Sequence, residues 1–231
     1  VEKPGNARFF CLTVTDMSDS LRITEIFLSL QGEAKSVGLP TVFVRLTGCP
    51  LRCVYCDSEY AFYGGEKQTL SQILDRVSEL GAHHVCVTGG EPLAQPGVLE
   101  LLRRLCDAGK AVSLETSGAM DIGGVDLRVS IVMDIKTPAS GESQRNRLEN
   151  LPLLQHKDQV KFVICNREDY DWASFKLSEW KLAERVGEVL FSPSFGVLDA
   201  RLLADWIVHD RLPVRFQIQL HKYLWGDIPG V

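Results

Sequence analysis

Cys49, Cys53 and Cys56, in the run C-P-L-R-C-V-Y-C-D, put three thiolates on one short loop at Cys-x3-Cys-x2-Cys spacing. A closed structural zinc site wants four protein ligands, typically as separated cysteine pairs. Four-cysteine iron–sulfur carriers also complete their shell from protein. Three cysteines holding a 4Fe–4S cluster would leave one iron open, and an open iron can bind and reduce a small molecule. Three plainer readings compete. The loop could hold zinc with a fourth ligand from His83, His84 or Cys86. It could be a chance grouping, or part of a disulfide framework, against which the odd total of seven cysteines counts. A second run, T-G-G-E-P at residues 88–92, also has chemical character. Its two glycines let a ligand approach the backbone, and Glu91 adds a carboxylate that can receive an ammonium group. The plain alternative is a strand-to-helix turn with Pro92 near the helix start.

The elements that must position these runs alternate. Strand-like apolar runs occupy residues 21–28, 41–46, 84–88, 111–114, 129–133, 160–164, 188–191 and 214–218. Helical stripes occupy 70–80, ended by Gly81, and 98–108, closed by Gly109, with further helices over 170–185 and 198–209. Residues 136–150 are polar and read as a loop running into a short helix. Strand then helix, repeated, predicts an α/β fold with a parallel sheet and right-handed crossovers. The cysteine loop follows one strand and T-G-G-E-P ends another, and the carboxyl ends of parallel strands are where α/β sites are built. Only six or so of these runs are expected to serve as barrel strands, too few for a full eight-fold barrel. A partial (β/α)6-type barrel is expected, open on one side and with reduced helical content in the middle.

The bulk properties bound the rest. A length of 231 residues suits one domain, with 45% hydrophobic and 24% charged residues as in an ordinary globule. The net charge of −5 gives no electrostatic case for a nucleic-acid partner. No apolar run reaches the roughly 18 to 20 residues that span a membrane. The scattered Cys11, Cys86, Cys106 and Cys165 read as buried small hydrophobes, which suggests a reducing cytoplasm. Residues 1–20 look like an extension ahead of a single domain over 21–231, with Met17 as the expected natural start.

With an aromatic, Tyr55, just before the third cysteine and T-G-G-E-P one strand–helix unit later, the chain resembles the radical S-adenosylmethionine (SAM) enzymes. A finer resemblance lies in E-I-F-L-S-L-Q-G-E (residues 25–33), F-V-R-L-T-G-C-P (43–50), E-T-S-G (115–118) and the tail Q-L-H-K-Y-L (219–224). From about Leu21 onward these are similar, in order and spacing, to the 7-carboxy-7-deazaguanine synthases. Glycyl-radical-enzyme activases share the cysteine loop but not the entry and tail.

The resemblance implies a lyase reaction for queuosine precursor synthesis. SAM is cleaved reductively and a hydrogen is abstracted from C6 of 6-carboxy-5,6,7,8-tetrahydropterin. The ring then contracts and ammonia leaves, giving 7-carboxy-7-deazaguanine. It implies a 4Fe–4S cluster on Cys49, Cys53 and Cys56, magnesium, a flavodoxin-like or ferredoxin-like reductant and a homodimer. SAM contacts fall on Tyr55, Cys56, Asp57 and Gly90, with Glu91 added. They extend to Asp134, Ile135 and Lys136, where only the lysine of the family's Ser-Pro-Lys is kept, and to Ser192, where many members have Gln-Pro.

Leu30, Gln31, Gly32 and Thr88 match substrate contacts. Arg45 suits the substrate carboxylate through its planar fork, or else is a strand arginine reaching a surface carboxylate. Ser58 stands where threonine usually holds magnesium, and its hydroxyl is still a hard oxygen ligand. His221 is either in the site or structural. Any role for Pro229 or Val231 is left open by a tail longer than that of some members. The rival readings are a radical SAM enzyme acting on another heterocycle or a protein glycine, and a non-catalytic zinc or iron–sulfur module.

Overall fold

The computed structural model describes residues 19–228 and residue 230. The expected start at Met17, the extension before it, Pro229 and Val231 lie outside the described residues. Among the described residues nine strands form one open sheet in the order β3-β1-β2-β4-β5-β6-β7-β8-β9. They are β1 (Ser20–Leu30), β2 (Pro40–Leu46), β3 (Glu66–Thr69), β4 (His84–Gly89), β5 (Ala111–Thr116), β6 (Ser130–Asp134), β7 (Gln159–Ile164), β8 (Glu188–Pro193) and β9 (Arg215–Phe216). From β2 onward every neighbour is parallel. The first strand corrects the all-parallel expectation: β1 runs antiparallel to β2, and the polar β3 pairs antiparallel on its outer side.

Period-two alternation divides the strands' side chains between two faces. Val42, Val44, Val85, Val87, Leu114, Met133, Phe162 and Phe191 point to the helix side and are buried in the main core. Helix α1 (Leu70–Leu80) meets it with Leu70, Ile73 and Val77, and α2 (Val98–Asp107) with Val98, Leu101, Leu102 and Leu105. The start of α1 is fixed by a Thr69–Gln72 capping box and its end by Gly81 at φ 76°. The opposite face carries Arg45, Thr88, Glu115, Asp134, Lys161 and Ser192, and these line a cavity.

The remaining helices are α3 (Arg167–Glu179), α4 (Leu182–Arg185), α5 (Ala200–Asp210) and α6 (Leu220–Trp225). The single helix expected over 170–185 is broken at Lys181, which takes φ 50° and caps α4. The last parallel strand shrinks to two residues, and the tail folds into α6. No α-helix crosses between β5 and β6 or between β6 and β7. Three 3-10 turns (Pro138–Ser140, Ser143–Arg145 and Leu148–Leu153) fill the second connection, so the thinned middle is where it was expected.

These turns brace the site. Val54 N–H donates to the Ser140 carbonyl at 3.0 Å, and Arg52 N–H to Glu142 Oε1 at 2.6 Å.

The open concave face is filled by residues 31–39, the loop after β1. Ala34 packs on Val132 and Leu190. Its N–H donates to Gln217 Oε1 at 2.5 Å, and Lys35 N–H to Gln159 Oε1 at 2.7 Å. Side chains from distant strands thus satisfy a loop backbone that would otherwise be buried unpaired.

Candidate active site

One cavity of about 520 Å³ opens at the carboxyl ends of the parallel strands. Cys49, Cys53 and Cys56 all line it, each half-buried and with a free thiol. Burial pushes their pKa values up, Cys53 to about 11, so loading a cluster would release protons. The candidates for a fourth zinc ligand lie elsewhere. His83 and His84 are at the start of β4, about 17 Å along the strand from Gly89, and Cys86 is fully buried within β4.

Gly90 explains how the two motifs fit. A Cβ there would lie 2.4 Å from the Gly48 carbonyl oxygen and 2.7 Å from Cys49 Cβ. Only glycine lets the cysteine loop lie on the end of β4, where Glu91 N–H donates to the Gly48 carbonyl at 2.8 Å.

Glu91 itself corrects an expectation. Its carboxylate is fully buried and accepts from Leu93 N–H, Thr116 Oγ, Ser117 N–H and Ser117 Oγ. That tie joins the ends of β4 and β5 and leaves no free oxygen for an incoming ammonium group. The side chain of Ile135 likewise belongs to the core, so only its backbone is available to a ligand. Gly32 does not line the cavity. Its carbonyl accepts from Leu220 N–H at 3.0 Å, and a Cβ there would sit 2.0 Å from His221 Nδ1. The glycine makes room for His221, which does line the cavity along with Leu30, Gln31 and Ser192.

The floor is a chain of charges that the motifs alone did not reveal. Lys136 Nζ is 3.0 Å from Asp134 Oδ2, and Lys161 Nζ is 3.9 Å from the same oxygen and 2.7 Å from Glu33 Oε2. Gln219 then links Glu33 to Asp57 at 2.9 and 2.8 Å, and Lys222 Nζ reaches Asp57 at 3.1 Å. Burial opposes charge on Glu33 and Lys161, but their mutual attraction outweighs it, lowering the carboxyl pKa and raising the ammonium pKa. At Asp57 burial is likewise outweighed, by the Gln219 hydrogen bond and the Lys222 charge, and its carboxyl is held well below the usual carboxylate range. Asp134 Oδ1 is buried without a hydrogen-bond partner among the described residues, an acceptor open to a ligand donor. Tyr55 lies beside this group, its ring centroid 5.9 Å from Lys136 Nζ.

On the other side Glu115 sits between two expected substrate contacts. Gln31 Nε2 donates to its Oε1 at 3.3 Å and Thr88 Oγ1 to its Oε2 at 3.1 Å. Arg45 Nε donates to Glu25 Oε1 at 2.7 Å, so the plain reading of a strand arginine paired with a carboxylate holds for that edge. Ser58 Oγ, near the mouth, donates to Asp57 Oδ1 at 3.0 Å. Glu115 and Glu33 stood in the quoted motifs without a role, and Lys161 was not singled out. Each is a charged residue on or next to an apolar strand, which is the signal that could have found them.

The Radical SAM superfamily model matches residues 43–127. The 7-carboxy-7-deazaguanine synthase of Chlorobaculum tepidum is 44% identical over 91% of this chain and 97% of its own length. That of Thermoplasma acidophilum is 41% identical over 90% of this chain and 99% of its own. The chain belongs to the 7-carboxy-7-deazaguanine synthases. The crystal structure of QueE from Escherichia coli shares the fold, with a TM-score of 0.68 at 21% identity over 87% of this chain and 95% of that one. As a synthase of this family the chain is a radical SAM enzyme, which carries with it a 4Fe–4S cluster and SAM. Its three cavity-facing thiols, the Gly90 cradle and the open acceptor on Asp134 fit those groups. Among the described residues no helix is long and apolar enough to cross a membrane.

Proposed function

We propose that this enzyme converts 6-carboxy-5,6,7,8-tetrahydropterin to 7-carboxy-7-deazaguanine with loss of ammonia, and that the cavity residues divide the work as follows. Cys49, Cys53 and Cys56 hold the cluster. When bound, the cluster and SAM supply the radical that abstracts the substrate hydrogen. Tyr55, Asp57, Gly90, the backbone around Ile135, Lys136 and Ser192 border SAM, and Asp134 Oδ1 accepts one of its donors.

The observation that carries the reading is the register of the inward face. Arg45 is paired with Thr88 across β2 and β4, and Thr88 bonds Glu115. One row therefore offers a guanidinium for a carboxylate and, a few ångströms on, a carboxylate for the guanidine-like edge of a pterin. Gln31 orients that carboxylate and Leu30 covers the ring. Ser58 offers a hydroxyl to magnesium, with Asp57 beside it as a second hard oxygen donor. A flavodoxin-like or ferredoxin-like reductant and a homodimer, which the family resemblance implies, and a cytoplasmic location, which the scattered cysteines suggest, complete the reading.

Anaerobic reconstitution with iron and sulfide, followed by SAM, reductant, magnesium and the carboxytetrahydropterin, tests it. Ring-contracted product is expected. Deoxyadenosine formation without that product would overturn the substrate assignment and favour another heterocycle.

A further inference from the structure

Arg45 does not stand alone. Glu25 lies directly opposite it in the β1–β2 pair, and Glu25 Oε1 accepts from both Arg45 Nε at 2.7 Å and Tyr60 Oη at 2.8 Å. The Tyr60 ring centroid is 5.8 Å from the guanidinium carbon. Among the described residues neither terminal nitrogen of Arg45 has a hydrogen-bond partner, and the side chain lines the cavity. The guanidinium is thus gripped by its inner edge and presents the fork that pairs bidentately with a carboxylate.

The backbone is shaped for this grip. Ile23 and Glu25, two apart, would share a face of a regular strand. The register shifts between them, so Ile23 pairs with Leu46 on the core side while Glu25 pairs with Arg45 on the cavity side. A bulge that re-aims one side chain beside a site is a recognised use of that irregularity. Tyr60 follows the cysteine loop by four residues and Ser58 by two. The shared oxygen of Glu25 therefore ties the cofactor loop to the substrate arginine.

We infer that Glu25 and Tyr60 are positioning residues that set Arg45 for a substrate carboxylate and make the enzyme prefer a carboxylated pterin over one without the group. The inference rests on the pterin reading above. Equilibrium binding of 6-carboxytetrahydropterin and of tetrahydropterin lacking the carboxylate, to protein loaded with cluster and SAM, separates the two. In Glu25→Ala the preference for the carboxylated ligand falls about tenfold or more, as expected when a preorganised group is released. KM rises while kcat stays within about threefold, and iron content is unchanged. Glu25→Gln keeps an acceptor for Nε and recovers part of the preference, and Tyr60→Phe lies between. A wild-type preference retained in both Glu25→Ala and Tyr60→Phe overturns the inference and leaves the pterin assignment standing. A wild-type protein that binds neither pterin overturns both.

Discussion

Residues 31–39 and residues 47–58 border the same cavity and are held by opposite means. The first loop is buried at Gln31, Gly32 and Ala34, is largely exposed from Lys35 on, and is tied by side chains of β7 and of the segment after β9: Gln159, Lys161, Gln217 and Gln219 all reach into it. The second is held chiefly through its backbone, to Ala61, Glu91 and Ser140, and among the described residues leaves its three cysteines outside any disulfide. The substrate side of the site is therefore finished by the protein, whereas the cofactor side is finished by what binds there. Pre-paid order belongs where a neutral ring must be oriented, and the cysteines gain theirs from metal binding.

Four experiments can break or sharpen that contrast. The largest effect is expected from Cys53→Ala, which abolishes the iron chromophore and turnover while the apo protein unfolds as the wild-type apo protein does. A large loss of apo stability would mean that the cysteine loop is more than a holder. Next, Lys161→Met leaves Glu33 as a buried carboxylate without its ammonium partner, while Asp134 keeps Lys136, and should cost about 3–5 kcal/mol in denaturant unfolding. A cost under about 1 kcal/mol would show that the first loop is not held by its charges.

The third concerns pH. Because the Asp57 carboxyl is held below its ordinary value of 3.8, its stabilising contribution is fully present above that pH and is lost as pH falls through the lower folded value. The stability gap between wild type and Asp57→Asn should be constant from pH 7 to about pH 4 and narrow only below it. A gap that closes near neutrality would place the tail's hold on other groups.

The smallest effect is expected at Ala34, which takes φ 61°. In Ala34→Gly, relief of roughly 1–2 kcal/mol of left-handed strain is offset by about 0.8 kcal/mol of lost methyl burial and about 0.5–1 kcal/mol of backbone entropy. Thermal unfolding should move little, and a large loss would mean that the methyl between Val132 and Leu190 anchors the plug.

The parallel strands and the first two helices were legible because their burial follows simple periods, and the cysteine loop because its spacing is chemistry in itself. Strand β3 was not: E-K-Q-T is polar and exists only through backbone pairing with β1. Nor was the direction of β1, since alternation is the same for parallel and antiparallel neighbours. The break at Lys181 carries no glycine or proline to announce it. In the site, Glu91 misled because its role depends on Thr116 and Ser117, twenty-five residues and more away. Glu115 and Lys161 became visible only when register brought them to one face. Motifs reveal residues that act through sequence neighbours, and they miss those that act across strands.

The plug has a consequence for how the chain is made. Its loop is synthesised well before its partners: Gln159 lies 124 residues beyond Lys35, Gln217 lies 183 beyond Ala34, and Gln219 lies 186 beyond Glu33. Until those arrive, the Ala34 and Lys35 N–H groups and the Glu33 carboxylate lack these side-chain partners. Contacts of such separation are slow to form and are exposed to misassembly meanwhile. The cavity is therefore among the later features of this fold to mature, completed only when α6 and the residue before it meet the loop after β1.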